Sequence, residues 1–276
     1  MTGRRPQLMG VVNVTPDSFS DGGLFLAPEP AIAHGRGLAA QGADILDVGG
    51  ESTRPGAEAV SAEVELQRVG PVVEALAGAG LVVSIDTSKA AVAAAALDAG
   101  AEIVNDVTAL RADPELAGLC AERGCTVVLM HMQGSPRTMQ DEPSYGDVVD
   151  DVRAFLAARI EAAVAAGIDE ERIWLDPGIG FGKTLEHNLE LLRRLGRIAE
   201  LGRPLVIGTS RKRFLGAITG REVGDRIGGT VASNVLALAA GADVFRVHDV
   251  AEARQALDAA AAILGRSEWR RPRLAR

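Results

Sequence analysis

The sequence predicts a single (β/α)8 barrel, and three observations carry that prediction. Short β-branched runs alternate with Ala- and Leu-rich stretches of helical length, there are eight of each, and 276 residues with 47% hydrophobic content accommodate them without a linker. Strict alternation implies parallel strands joined by crossover helices. A closed eight-stranded barrel suits this length, with an open doubly wound sheet as the competing solution. One domain is expected over 1–265, followed by a solvated basic tail over 266–276 that holds five arginines and a Trp.

In order, the strands are expected at Leu8–Asn13, Ile45–Val48, Val82–Asp86, Ile103–Asp106, Thr126–His131, Ile173–Asp176, Leu205–Gly208 and Val244–Val247. Each is a short apolar run bounded by polar or glycine residues. Helices are expected between them, for example over Val148–Ala166, Glu186–Glu200 and Ala251–Leu264. A recurring phrase, Gln41-Gly-Ala-Asp44, Ala99-Gly-Ala-Glu102 and Ala240-Gly-Ala-Asp243, precedes three strands. Its glycine suits the position just past a helix end, and at the N-terminal ends of strands the phrase reads as structural. Aromatics make up only 3%, so Ala and Gly must allow close backbone packing.

A net charge of −8 argues against nucleic acid or an anionic membrane as partner. Any anionic ligand must therefore meet a local basic pocket. Cys120 and Cys125 suit a reducing cytoplasm and form neither a disulfide framework nor a four-ligand metal site; both are expected to be packed residues. The N-terminal MTGRRPQ leads straight into a strand, so no secretion signal is expected. The apolar stretch Ala90–Leu97 is too short to span a bilayer.

Only three of the 29 basic residues are lysines, Lys89, Lys183 and Lys212, and each follows an expected strand. Arginine cannot replace a compact ammonium where a single charge must face one oxygen. The strand ends are therefore the place to look for chemistry. They carry Asn13, Asp47, Asp86, Asn105, Asp106, His131, Asp176, Ser210-Arg-Lys212, Arg246 and His248. One such residue is readily a helix N-cap, but barrel active sites are built from these loops.

Arg246 and His248 lie two apart and share a strand face, which suits an anion pocket. A salt bridge from Arg246 to Asp243 or Asp249 is the plain alternative. Asp176 is suited to the paired N–H groups of a 2-aminopyrimidinone edge, or else is a turn residue before Pro177-Gly178. Gly178-Ile-Gly-Phe-Gly182-Lys183-Thr184 is a phosphate-loop decoy, with three residues between the outer glycines where that pattern needs four. Gly208-Thr-Ser210 lacks the second glycine of a nucleophile elbow. Four scattered histidines show no zinc spacing.

Met9-Gly-Val-Val-Asn13-Val-Thr-Pro-Asp17-Ser-Phe-Ser-Asp21-Gly-Gly and Asp47-Val-Gly-Gly-Glu51-Ser-Thr53-Arg54-Pro55-Gly resemble the two signatures of the dihydropteroate synthase family. The resemblance continues through Ser84-Ile-Asp86-Thr, Val104-Asn105-Asp106, Met130-His131-Met-Gln-Gly, Asp176-Pro-Gly-Ile-Gly-Phe181-Gly-Lys183, Ser210-Arg-Lys212 and Arg246-Val-His248-Asp, in order over residues 8 to 249. It implies a (β/α)8 barrel, a homodimer, and a transferase of folate biosynthesis. That enzyme joins 6-hydroxymethyl-7,8-dihydropterin pyrophosphate to p-aminobenzoate with Mg2+, releasing pyrophosphate.

Carried onto this chain, the resemblance implies a pterin site of Asp86, Asn105, Asp176, Lys212 and Arg246. Pyrophosphate falls to Asn13, Thr53, Arg54, Arg246 and His248, with Asn13 also holding Mg2+. The p-aminobenzoate site comprises Thr53, Pro55, Phe181, Ser210 and Lys212, which would also admit a sulfonamide. Lys212, Arg246 and Asp86 are the expected catalytic residues. Arg213 stands where some relatives have Ser, which leaves it or the following helix start as receiver of the p-aminobenzoate carboxylate. A pterin-dependent methyltransferase domain and a non-catalytic pterin-binding paralogue are the alternatives. Lys183 is expected to support the sixth loop, and Lys89 to sit on the outer start of a helix.

Overall fold

The eight strands form where the apolar runs predict them. A computed structural model describes residues 5–15, 27–53, 56–135 and 137–266. The strands are β1 (Gln7–Asn13), β2 (Ile45–Gly49), β3 (Val83–Asp86), β4 (Ile103–Asp106), β5 (Thr126–Met130), β6 (Ile173–Asp176), β7 (Val206–Ile207) and β8 (Val244–Val247). All pairings are parallel, in the order β6-β5-β4-β3-β2-β1-β8-β7. A parallel bridge between Leu175 and Leu205 joins the two ends, so the sheet closes into the expected barrel.

The helices are α1 (Glu29–Ala40), α2 (Ala62–Ala77), α3 (Ala90–Asp98), α4 (Leu116–Arg123), α5 (Val148–Ala165), α6 (Leu185–Arg193), α7 (Gly196–Ala199), α8 (Arg213–Thr219), α9 (Ile227–Ala239) and α10 (Val250–Ile263). Two departures from strict alternation appear. The stretch expected as one helix over 186–200 is broken into α6 and α7 at Arg194, whose guanidinium reaches Asp147 at 2.7 Å. A short α8, ended by Gly220 in the left-handed conformation, is inserted ahead of α9. His131 falls just past β5, and β7 is shorter than expected.

Strand alternation sorts the side chains into two populations. Leu8, Leu46, Ile85, Val104, Leu129, Leu175, Ile207 and Phe245 face outward into the main core against the helices. Met9, Ile45, Val82, Ile103, Val128, Trp174, Val206 and Val244 form a separate layer inside the barrel, one from the line of each strand. Every fully buried Leu or Ile contributes roughly 1.5–3 kcal/mol relative to exposure. Close packing relies on small residues as expected: a Cβ on Gly35 would lie 2.9 Å from Leu76 Cδ1.

The repeated phrase closes its helices in the predicted way. Gly42, Gly100 and Gly241 have φ of 104°, 102° and 111°, and the next residue's N–H returns to Leu38, Ala96 and Ala237 respectively. Asp44 and Asp243 then accept from Leu8 N (2.7 Å) and Leu205 N (3.1 Å), starting the neighbouring strands. Cys120 and Cys125 are free and buried in the core. Arg266, expected as the first tail residue, is instead buried, donating to Leu238 O, Ala242 O and Asp243. Residues 267–276 lie outside the described residues.

Candidate active site

Two residues beyond the apolar inner layer, alternation brings Asp47, Ser84, Asn105, Met130, Asp176, Gly208 and Arg246 inward at the C-terminal end of the barrel. Asn105, Met130, Asp176, Gly208 and Arg246 from this layer line a cleft together with Thr53, Asp86, Val107, Phe181, Ser210, Lys212 and His248. The cleft therefore has a polar side of carboxylates, amide and cations. It also has an apolar part, where Val107 and Met130 cluster with Phe181. This combination suits a flat heteroaromatic ligand with a polar edge.

Arg246 joins the strands across the barrel. Its Nε donates to Asp47 Oδ2 (2.6 Å) and its Nη2 to Asp86 Oδ2 (2.8 Å). Burial works against the guanidinium charge, but Asp47 and Asp86 more than offset it. The plain alternative for Arg246 does not form, because Asp249 pairs with Arg211 and Asp243 with Arg266. Burial pushes the Asp86 carboxyl up to about 7 against the pull of Arg246, with Asp47 adding to the rise. Asn105 Nδ2 also donates to Asp47 Oδ2, at 3.1 Å. Its amide oxygen is thereby turned away from that carboxylate.

Asp176 is buried, and its Oδ1 accepts from Gly178 N at 2.7 Å. Burial raises its carboxyl above the usual range, opposed chiefly by Lys212. Lys212 is the N-cap residue of α8; its Nζ donates to Ile179 O and lies 4.7 Å from the centre of the Phe181 ring. Burial pushes this ammonium down to about 8, against the opposing pull of Asp176. Ser210 contacts His248 Nδ1 at 3.0 Å and accepts from His248 N at 3.2 Å, tying the loop after β7 to the end of β8.

The sixth loop is fastened at nearly every residue. Gly178, Gly180 and Gly182 have φ of 66°, 86° and 62°, and a Cβ on Gly178 would meet His131 O at 1.9 Å. Lys183 is buried beneath the loop, with Nζ 2.9 Å from both His131 Nδ1 and Phe181 O. Burial drives this ammonium well below its ordinary range and, with Lys183 adding to the effect, takes the His131 imidazole down to about 3. Lys183 therefore supports the loop, as expected. His131, expected only as a strand-end polar residue, packs edge-on to Phe155 outside the cleft lining.

The structure thus brings together Asp86, Asn105, Asp176, Lys212, Arg246, Thr53, Phe181, Ser210 and His248. Asn13 ends β1 opposite Gly49, half-buried and outside the cleft lining. Arg54 and Pro55, and the first-loop Asp17 and Asp21, lie outside the described residues. Arg213 begins α8 and is exposed. Sequence reasoning assigned no role to Asp47 as the shared acceptor of Arg246 and Asn105. It also omitted Val107 and Met130 from the apolar wall. Inward alternation from Ile45 and Val128 would have flagged Asp47 and Met130.

Residues 9–248 match the family model described as "Pterin binding enzyme". A dihydropteroate synthase of Mycobacterium leprae is 49% identical over 258 residues, covering 91% of each chain. The solved Xanthomonas albilineans dihydropteroate synthase with 4-aminobenzoic acid superposes with a TM-score of 0.89 at 51% identity, over 96% of this chain and 95% of that one. The Yersinia pestis dihydropteroate synthase with a sulfonamide drug gives 0.90 at 45% identity, over 96% of each.

Proposed function

The chain belongs to the pterin-binding enzymes and, among them, to the dihydropteroate synthase family; we propose that it joins 6-hydroxymethyl-7,8-dihydropterin pyrophosphate to p-aminobenzoate, yielding 7,8-dihydropteroate and pyrophosphate. The observation that carries this reading is the convergence of Asp86, Asn105, Asp176, Lys212 and Arg246, from five strand ends, on one cleft that Val107, Met130 and Phe181 also line.

Asp176 accepts the paired N–H groups of the pterin's 2-amino-4-oxo edge, and its oxygen already bonded to Gly178 N fixes the plane. Asn105 offers its amide oxygen to a ring N–H, while Asp86 holds a further donor. Lys212 donates to the pterin's polar edge, and Arg246, held flat by Asp47 and Asp86, lies over the ring. In the reaction the exocyclic C–O bond breaks first, its electron pair leaving with pyrophosphate. The resulting cation is stabilised by electron donation from the dihydropterin. The p-aminobenzoate amine then forms the new C–N bond and releases its proton to solvent. A weak amine attacking a cation needs no strong base and no covalent enzyme intermediate.

Thr53 and His248 at the mouth, with Arg246, suit the departing pyrophosphate, and Arg54 is proposed to join them. Phe181 and Ser210 border the p-aminobenzoate side, with Thr53 and Lys212, and Pro55 is proposed there too. A sulfonamide would compete for the same space. Among the described residues no group of three His, Cys, Asp or Glu side chains could hold a metal by itself. Asn13, at the end of β1, would offer Mg2+ one amide oxygen, the ion taking most of its oxygens from substrate phosphates and water. The ion would supply neutralisation of the pyrophosphate's charge.

Exposed Leu236 on α9 and Ile263 on α10, two helices packed together, support a homodimer. Buried free cysteines support a cytoplasmic setting. No described helix is long and apolar enough to cross a membrane. The assay is formation of dihydropteroate and pyrophosphate from the two substrates with Mg2+. Product that requires all three supports the reading, and a folded protein giving none overturns it.

A further inference from the structure

Lys89, the N-cap residue of α3, does not sit on the outer start of that helix as the sequence suggested. Its Nζ donates to Glu51, at the start of the loop after β2, and to Glu65 Oε2 at 2.5 Å. Glu65 lies in the first turn of α2 and is wholly buried. Burial works against the Lys89 charge, but its hydrogen bonds to Glu51 and Glu65 outweigh it.

The adjoining backbone is held as tightly. Gly50 O accepts from Arg68 Nη1 at 2.7 Å, and a Cβ on Gly50 would meet Val69 Cγ1 at 2.8 Å, so the loop lies flat on α2. Lys89 N in turn donates to Thr87 Oγ1 at 3.3 Å, next to Asp86. Three elements therefore meet at one ammonium: the loop that carries Thr53 into the cleft, the buried start of α2, and the connection that carries Asp86.

We infer that Lys89 and Glu51 form a clamp that positions the second loop over the p-aminobenzoate side of the cleft, which makes both positioning residues for the second substrate. The inference rests on the synthase reading above. The ammonium has three N–H donors, and two of them go to carboxylates from different elements, Glu65 on α2 and Glu51 on the second loop, so Lys89 ties that loop to the helix. Glu51 is two residues before Thr53 on a chain whose preceding residue is fixed to α2. Fixing Glu51 therefore sets the direction in which Thr53 leaves. Asn105 and Asp176, on β4 and β6, are held by Asp47 and Gly178 and not by this contact.

The test uses Glu51→Gln in the full chain. It removes the charged contact at a half-buried position and leaves the Lys89–Glu65 pair intact. Three readouts apply: thermal midpoint, pterin affinity by calorimetry, and KM for p-aminobenzoate. The expected result is a KM raised about tenfold, as for loss of one charge-assisted contact, with pterin affinity and thermal midpoint near wild type. A Lys89→Met/Glu65→Gln double variant removes the ammonium without stranding a buried charge, and is expected to show the same KM rise whatever its stability. A wild-type KM for Glu51→Gln in an active enzyme overturns the clamp. Absence of product from the wild-type protein overturns instead the synthase reading on which it rests.

Discussion

Asp47 and Arg246, 199 residues apart in sequence, meet across the barrel at 2.6 Å, and the same Asp47 oxygen also accepts from Asn105. Asp47 is wholly buried, and its other carboxylate oxygen has no hydrogen-bond partner among the described residues. One carboxylate thus sets the orientation of two groups proposed to face the pterin, and Asp86 completes the arrangement by accepting from Nη2 of the same guanidinium.

Asp47→Asn keeps the shape but removes the charge that holds Arg246. Arg246 is then left to Asp86 alone, and one carboxamide oxygen must serve two donors. A fall in kcat/KM of at least about tenfold is expected with the fold retained. Steady-state kinetics alongside a thermal melt checks this, and unaltered kcat/KM would remove Asp47 from the account.

Lys212→Ala should reduce turnover by about 10²–10³-fold while lowering stability little. Its Nζ contributes a bond to Ile179 O and the contact over Phe181, not packing in the main core. Activity measured beside a circular-dichroism melt separates the two effects.

Asp176→Asn replaces one acceptor by a donor opposite the pterin's own donors. Pterin affinity should fall about 10–100-fold, the range for losing a hydrogen bond to a charged group. Calorimetry with a pterin reads this directly, and unchanged affinity would place the pterin elsewhere.

Asp86 gives a pH signature. Its carboxyl is raised from 3.8 to about 7 by burial, against Arg246. Between those values the folded chain keeps a proton that the unfolded chain has lost, so this contribution to stability is present at acid pH and is lost as pH rises towards about 7. Asp106 and Asp176, also raised, act in the same direction. Asp86→Asn should flatten the decline of the unliganded protein's thermal midpoint between about pH 5 and 7.5. An equal slope in both proteins would contradict the assignment.

The barrel was legible because period-2 alternation and glycine-ended helices are local signals. Asp86, Asn105, Asp176, Lys212 and Arg246 were legible because each stands at a strand end in a recognisable motif. Asp47 stands at a strand end too, but its partnership with Arg246 depends on β1 lying between β2 and β8 in the closed barrel. Lys89 looked like a generic helix start, since nothing local shows that Glu65 is buried beside it. Lys183 and His131 became a buried pair only when the loops after β5 and β6 packed together. The break of the predicted 186–200 helix at Arg194 coincides with a contact to Asp147, 47 residues away.

The most direct measurement is a crystal structure of this protein with a pterin bound. The account predicts the pterin's 2-amino-4-oxo edge on Asp176, with Asn105, Asp86 and Lys212 around it and its ring beneath Arg246. A pterin bound in another orientation or outside this cleft, with those five side chains untouched, would contradict it.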